Sequence, residues 1–552
     1  MPLAGRKYDG ARTEMTTKSP LSSLGLDTSD NMSVYKAAID ALGGLESETS
    51  PEALFYKHLA VLSLARSGAT EFAQSEYDRY GLARVSGHED IMALAGRLAK
   101  DRFDASGDIE HARDSASLYE AAFQSTSGYY SGVNAATMSL LAKVPKEIVK
   151  GRAQAVLSRL SSMSGDTDEA RYFIHASRAE AHYILSDKTS AAAALQAALD
   201  FDPLNYTAHA ATYRQFRLLA QVHGEPMDWL KPLRAPLSVH FAGHLFSKIE
   251  DEDKLFVSMS DLIQKEDIGF GYGALAAGSD IIFAEALLEE GGDLHVILPV
   301  AIDIFKAASV SAIDQKGATH WGARFDHCLE RASSIRILTD YTDWPDAVLN
   351  NYAAKVAMGE ACRRARTLSS KAGQVLIWDS KLGRSFTAHH AQDWQAPFAK
   401  IGEAAAKERA QFILEFPDQR PRSKLSVSTL SKIDQSSYKN IIGVAKNGKF
   451  IAKIDHPLDA MDIVATALEN SKHARIGLHV TPLANSAAPV DKPLWDCKAL
   501  SEAASPGSIL VSQDMAAILA LEGESLWETG FAGYVRNGDE DIPAYFAKPV
   551  AK

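Results

Sequence analysis

Short apolar segments alternate with amphipathic helical segments between residues 237 and 380, and this alternation restricts the possible folds more than any other feature of the chain. Clear examples of the apolar segments are DLHVILP at 293–299 and GQVLIWDS at 373–380. Uniformly apolar strands are typical of parallel sheets with both faces covered, and alternating strands and helices build such sheets. The sequence therefore predicts an α/β open parallel sheet, Rossmann-like in architecture, over this region.

One connection in this region is rich in glycine. The segment IGFGYGALAAGSD, residues 268–280, has the pattern of a strand, a glycine-rich loop and a helix start. Ligands of open parallel sheets bind at the carboxyl ends of strands, where glycines permit close approach and helix amides attract anions. The spacing is neither GxGxxG nor GxxxxGK[ST], so we do not expect a Rossmann dehydrogenase or a P-loop NTPase.

The stretch GALAAGSDIIFAEALLEEGGDLHVILP, residues 273–299, resembles the SLOG superfamily in its glycine–Asp turn, its Ala-rich helix and its final strand. That superfamily includes the DNA-processing protein of transformation and the lysine-decarboxylase-like phosphoribohydrolases. The resemblance implies a nucleotide or nucleotide-derived ligand close to the turn. The pattern PGGxGTxxE of the phosphoribohydrolases is absent, which favours sensing over hydrolysis. The residues implied as ligand contacts are Gly243, Gly273, Gly278, Ser279 and Asp280.

Several of these positions, and two near them, have more than one interpretation. Asp280 is a preferred residue type for capping the predicted helix, and its charge would repel a phosphate. Glu285 is either a solvated surface carboxylate or a ligand contact, whereas His244 is a candidate hydrogen-bond partner for the ligand. His240 and His244 are not expected to share a metal, because side chains four residues apart on a strand lie far apart.

Residues 33–232 have helical periodicity throughout and are predicted to form tetratricopeptide-like helix pairs. The segment Glu89–Lys143 resembles the TRAF-binding region of the apoptosis-signal-regulating kinases, which is built of such repeats. No HRD or DFG kinase motif occurs, so the resemblance implies a scaffold that binds protein partners. The residues that carry this resemblance are Gly96-Arg97, Lys100-Asp101, Ala116–Phe123 and Tyr129–Ala136.

Residues 405–549 resemble the catalytic domain of class III adenylate/guanylate cyclases, most clearly at ARIGLHVTP (474–482) and SPGSILVSQDMAAILA (505–520). The resemblance implies an α+β domain with two metal-binding Asp residues, because two cations assist nucleotide cyclisation. The first of these positions is retained as Asp418, a vestigial metal ligand, whereas Lys446-Asn447 replaces the second.

Other positions that the cyclase resemblance assigns to catalysis are also changed. Trp495 and Ala499 stand where the family uses an Asn and an Arg, and Thr481 replaces a glycine. Losing these groups together removes most transition-state stabilisation, so the domain is expected to be a pseudo-cyclase. Class III domains work as dimers, so we expect a homodimer, and Mg²⁺ or Mn²⁺ would bind only if cyclase activity survives.

Composition limits the remaining classes of function. The net charge of −12 gives no general attraction to nucleic acid or anionic membranes, and neither is expected as a partner. The three cysteines form no CxxC pair, and no apolar run reaches the length of a membrane span. The N-terminal segment lacks the apolar stretch of a signal peptide, so the expected localisation is cytoplasmic.

The sequence therefore predicts a multidomain regulatory scaffold that senses a nucleotide-type small molecule and dimerises through a pseudo-cyclase. The alternative is an enzyme: a nucleotide or N-glycosidic hydrolase in the middle domain, or a residual nucleotidyl cyclase. The predicted segments are a disordered tail (1–32), the all-α helical repeat array (33–232), the SLOG-like domain (236–382), a linker (383–397) and the cyclase-like domain (398–552).

Overall fold

The computed structural model describes residues 31–246, 252–314, 320–339, 346–378, 386–395, 409–415, 439–444, 450–454, 457–470, 474–481, 491–504, 507–523, 526–538 and 540–550. The chain divides into two compact units. The first takes in the chain up to Arg234, and the second begins at Ala235 and includes most of the remaining residues.

The described part of the first unit is helical, which confirms the predicted repeat array. Its helices begin and end where local chemistry favours it: Ser50 accepts a hydrogen bond from the Ala53 amide at the start of α2, and Gly107, at φ 67°, ends α4. The helices are α1 (Asn31–Leu42), α2 (Pro51–Arg66), α3 (Thr70–Arg79), α4 (Glu89–Ser106), α5 (Ile109–Thr126), α6 (Tyr129–Leu141), α7 (Lys146–Leu160), α8 (Asp168–Ile184), α9 (Lys188–Phe201) and α10 (Tyr206–His223).

Small residues allow these helices to pack closely. Ala135, Ala179 and Ala181 are completely buried, and a Cβ atom at Gly132 would lie 2.8 Å from the Val156 side chain. From α1 to α9 each helix packs against the next along the chain, and α2, α4, α6, α8 and α10 also contact one another in series. We call these five the inner helices, because such a series lines the concave side of a stacked repeat array.

The second unit begins with a six-stranded parallel sheet in the order β4-β3-β2-β1-β5-β6. The chain moves outward from β1 to β4 and then returns to the other side of β1, so the direction of winding reverses between β1 and β5. The strands are β1 (Leu237–Gly243), β2 (Ile268–Gly273), β3 (Asp293–Leu298), β4 (Ser334–Ile337), β5 (Ala372–Trp378) and β6 (Arg409–Glu415).

Helices cover both faces of this sheet, as predicted. Val239 and Phe241 on β1 pack into a core with Phe283 of α12, whereas Ala242 on the opposite face packs against Ala391 of α16. This two-residue alternation is what a strand buried on both sides requires. The helices are α11 (Glu252–Glu266), α12 (Ser279–Glu289), α13 (Ile302–Lys306), α14 (Trp321–Arg331), α15 (Asp346–Thr367) and α16 (Phe386–Gln395).

A second, mixed sheet follows in the order β11-β12-β10-β9-β7-β8. It has parallel and antiparallel strand pairs and carries helices, which confirms an α+β region. Its elements are β7 (Lys439–Val444), β8 (Phe450–Ile454), α17 (Pro457–Asn470), β9 (Arg475–Thr481), α18 (Asp491–Ala503), β10 (Ser508–Ser512), α19 (Gln513–Glu522), β11 (Trp527–Asn537) and β12 (Glu540–Pro549).

The structure differs from the predicted linker at 383–397. Residues 386–395 form α16, whose Trp394 is completely buried, and β6 pairs with β5 although it was assigned to the cyclase-like domain. The polar, His-rich sequence favoured a linker, but tertiary packing stabilises a helix there. His390 in this helix is buried against the sheet.

The two sheets share a helical layer within the second unit. A Cβ atom at Gly359 of α15 would lie 2.0 Å from the carbonyl oxygen of Ala517, so α15 and α19 cross at close backbone contact. Asp514 of α19 accepts hydrogen bonds from Arg336 and from the Tyr352 hydroxyl. The mixed sheet is therefore joined to the parallel sheet by a packed, hydrogen-bonded interface.

Candidate functional site

The carboxyl ends of β1 and β5 meet where the winding of the parallel sheet reverses. Gly243 is the last residue of β1 and is paired with Ile377 of β5, and the His244 amide donates a 3.2 Å hydrogen bond to the Ile377 carbonyl. Gly243 and His244 are half-buried. Doubly wound sheets bind their ligands in the crevice at such a reversal, outside the carboxyl ends of the strands. Two of the predicted site residues thus lie at the favoured position.

The first residue of α12 packs directly on the end of β1. A Cβ atom at Gly243 would lie 2.2 Å from the Ser279 Cβ, so only glycine permits this contact. Ser279 is fully buried, and its hydroxyl has no hydrogen-bond partner among the described residues. A buried hydroxyl without a partner costs free energy, so this group is prepared to accept or donate a hydrogen bond.

Asp280 stabilises the loop and does not cap α12. Its carboxylate accepts hydrogen bonds from the Gly243 amide at 2.9 Å and the Ala276 amide at 3.3 Å, whereas Gly278 is the residue at the N-cap position. The capping interpretation was therefore wrong, because the side chain turns toward the strand end and the loop. Burial raises the pKa of Asp280 to about 7, although both amide hydrogen bonds oppose the shift.

Gly278 and Gly273 permit the backbone conformation and the close packing of the loop. Gly278 adopts φ 104° and ψ −124°, a conformation that is closed to other residues, and a Cβ atom at Gly273 would lie 2.7 Å from the Phe241 carbonyl oxygen. Loop amides are already engaged, since Ala277 donates to the Ser309 carbonyl and Ser279 to the His244 carbonyl. The loop is thus a tightly bonded element, and its anion-binding position is occupied by Asp280.

Glu285 forms an ion pair and is not a solvated carboxylate. Both of its oxygens accept hydrogen bonds from Arg324 of α14, which also bonds Glu252 at the start of α11. This bidentate arrangement joins three helices on one face of the sheet. Glu285 is therefore held away from the Ser279 position by its partner and does not belong to the same cluster.

The positions that the cyclase resemblance named lie only partly within the described residues. Asp418 and Lys446-Asn447 lie outside them. Trp495, where the family uses an Asn, is 59% exposed on α18, whereas Ala499 is buried. No group of three or more His, Cys, Asp or Glu residues in the described ranges is arranged to hold a metal ion.

The prediction missed a group of cationic side chains on the inner helices of the first unit. Arg97 and Lys100, three residues apart on α4, share one side of that helix, and Arg214 and Arg217 repeat the spacing on α10. Arg66 in the last turn of α2 completes the group. The i,i+3 spacing was a usable signal, but it does not say that α2, α4 and α10 face one another.

Comparison with known families finds a match within the helical array. The family model described as Tetratricopeptide Repeats-Sensor matches residues 34–139. A search of curated proteins gave no significant match. No helix in the part of the chain that the structure describes is both long and apolar enough to span a membrane.

Proposed function

We propose that this protein is a regulatory scaffold in which the parallel sheet senses a nucleotide-type ligand at the carboxyl ends of β1 and β5. The observation that carries the proposal is the unpartnered hydroxyl of Ser279, buried beside Gly243 at the reversal of winding. The helical array supports the scaffold role, since stacked repeats present extended surfaces to protein partners.

The position of Asp280 refines how such a ligand binds. Its carboxylate already bonds the Gly243 and Ala276 amides, so a ligand phosphate does not replace it there. Instead the ligand hydrogen-bonds Ser279, and His244 contacts it from the end of β1. With a pKa of about 7, Asp280 is partly neutral at physiological pH, which reduces its repulsion of a nearby phosphate.

Access to Ser279 links binding to a conformational change. The Phe246 amide donates to the Ala277 carbonyl, and Leu245 pairs with Gly278, so residues 244–246 cover the loop. A ligand reaches the buried hydroxyl only when this segment moves off the loop. Such a change at the edge of the sheet is what a sensor requires, because binding must favour one conformation over another.

The hydrolase alternative has less support. Asp280 and Glu285 are its candidate general bases, but the oxygens of both carboxylates already accept hydrogen bonds from protein groups. A general base needs a free position within hydrogen-bond reach of the reacting water.

The C-terminal mixed sheet is proposed to act as a pseudo-cyclase that pairs two copies of the chain. The exposed Trp495 supports this, because large exposed aromatic side chains are enriched at protein interfaces. Sedimentation velocity should show a dimer that Trp495→Glu dissociates, while Leu526→Glu, at another exposed apolar position, leaves it intact. A monomeric native chain would contradict the pairing and leave the ligand site unaffected.

Thermal shift with a panel of mono-, di-, tri- and cyclic nucleotides and ADP-ribose tests the sensor. We expect at least one compound to stabilise the chain, and Ser279→Ala to weaken that stabilisation without lowering the melting temperature of the free protein. Ser238→Ala is the matched control, because Ser238 on β1 is also buried with an unpartnered hydroxyl but lies at the other end of the strand. Equal nucleotide responses in both variants, or none in the native chain, would contradict the proposal.

A further inference from the structure

The inner helices of the first unit bring five cationic side chains together. We call Arg66, Arg97, Lys100, Arg214 and Arg217 the cationic groove. Lys100 fixes the arrangement, since its ammonium group donates to Asn134 of α6 at 3.3 Å and to Gln215 of α10. Arg214 and Arg217 flank Gln215 in sequence, so these bonds bring the part of α10 that carries both arginines next to α4.

The arginines of the groove are near enough to act on one another. Burial and, after it, the charges of Arg97, Arg217 and Arg66 lower the pKa of Arg214 to about 10. Arg97 likewise lowers the pKa of Arg66, after the larger effect of burial. Arg214 is exposed to solvent, so a bound molecule can reach it.

Carboxylates in the groove offset only part of this charge. Asp101 pairs with Arg97 at 2.7 Å, Asp104 acts on Lys100, and Glu169 acts on Arg66. Glu180 is bonded to Thr137 and Gln215, and burial raises its pKa, so its negative charge is disfavoured. Within the described residues, Arg66 and Arg217 form neither an ion pair nor a hydrogen bond.

We propose that the cationic groove binds a small, multiply charged molecule that carries phosphate groups. Converging guanidinium groups whose charge carboxylates offset only in part are costly in the free protein and match phosphate, which accepts paired hydrogen bonds from arginine. A phosphate chain concentrates several negative charges in a small volume, so it can meet several of these side chains at once. An acidic peptide spreads its charges along an extended backbone and fits the convergence less well.

This site is distinct from the proposed nucleotide site and is tested separately. Calorimetric titration of the full chain would use inorganic tripolyphosphate, ATP and hexaglutamate as probes. We expect tripolyphosphate and ATP to bind and hexaglutamate not to bind. Arg214→Gln/Arg217→Gln should weaken tripolyphosphate binding at least about tenfold, because two charge-assisted contacts are lost.

The control variant is Arg113→Gln/Arg159→Gln, which makes the same charge change at exposed positions on α5 and α7. It should bind tripolyphosphate like the native chain, as should Ser279→Ala. If the double groove variant fails to fold, Arg66→Gln alone tests the same site from α2. Absence of phosphate binding to the native chain, equal loss in both double variants, or binding of hexaglutamate alone would overturn the proposal.

Discussion

The glycine-rich loop and the cationic groove both contain groups that attract anions. In the loop these groups bond a carboxylate of the protein, whereas in the groove carboxylates offset the charge only in part. At the loop, Asp280 accepts hydrogen bonds from the Gly243 and Ala276 amides. In the groove, Arg66 and Arg217 have no ion-pair partner among the described residues. At the recognisable motif, the protein's own carboxylate therefore bonds the loop amides. Among the arginines, which are dispersed in the sequence, part of the positive charge has no partner within the protein.

The largest change in the free energy of unfolding is expected from removing the Asp280 carboxyl group. Asp280→Ala leaves the amides of the half-buried Gly243 and Ala276 without an acceptor, which should lower the free energy of unfolding of the second unit by about 2–5 kcal/mol. The measurement is chemical denaturation at pH 5, where the carboxyl is neutral. Asp280→Asn keeps one acceptor and should cost less than Asp280→Ala. A loss below about 0.5 kcal/mol would show that the loop does not depend on Asp280.

The pH dependence of the same residue should follow from its raised pKa of about 7. Between pH 4 and pH 7 the folded chain holds a proton that the unfolded chain has released, so stability from this group falls as pH rises through that window. The stability difference between the native chain and Asp280→Ala should therefore narrow from pH 5 to pH 8. A constant difference would mean that Asp280 is ionised throughout.

The stability that depends on His390 should change with pH in the opposite direction, falling as the pH falls. Burial, and secondarily His389, lower the pKa of His390 to about 3, and both of its ring nitrogens lack hydrogen-bond partners among the described residues. The unfolded chain gains the proton first, so stability is lost as pH falls below about 6.5. His390→Leu should reduce this acid-induced loss in melts between pH 7 and pH 5. An unchanged acid response would place the sensitivity elsewhere.

The smallest effect, of opposite sign to Asp280→Ala, is expected in the groove. Arg214→Gln/Arg217→Gln relieves repulsion among like charges, so the ligand-free protein should become more stable by less than about 1 kcal/mol. The gain should shrink in high salt, which screens the repulsion. A lower melting temperature would indicate that these arginines are structural and would remove the contrast with the loop.

The sequence predicted the helices and strands better than it predicted how they pack against one another. Apolar segments such as DLHVILP identified the parallel sheet, and helical periodicity identified the array. The helix at 386–395 was missed because its stability comes from Trp394 packing and not from local pattern.

The site was predictable only in outline. Gly243 and Ser279 were both expected there, but the direct contact between them depends on how β1 and α12 meet. The groove combines Arg66 of α2 with Arg217 of α10, which are far apart in sequence. No local sequence pattern predicts that residues so far apart come together. Only the spacing of Arg97 and Lys100 within α4 was visible.

Hydrogen–deuterium exchange with the most stabilising nucleotide tests the sensor most directly. Ligand bound at Ser279 displaces residues 244–246, so the Phe246 and Ser279 amides, which bond across the loop, should exchange faster. Amides at the start of β1 should not change. Unchanged exchange at Phe246 and Ser279 under saturating nucleotide would contradict a ligand site at the ends of β1 and β5.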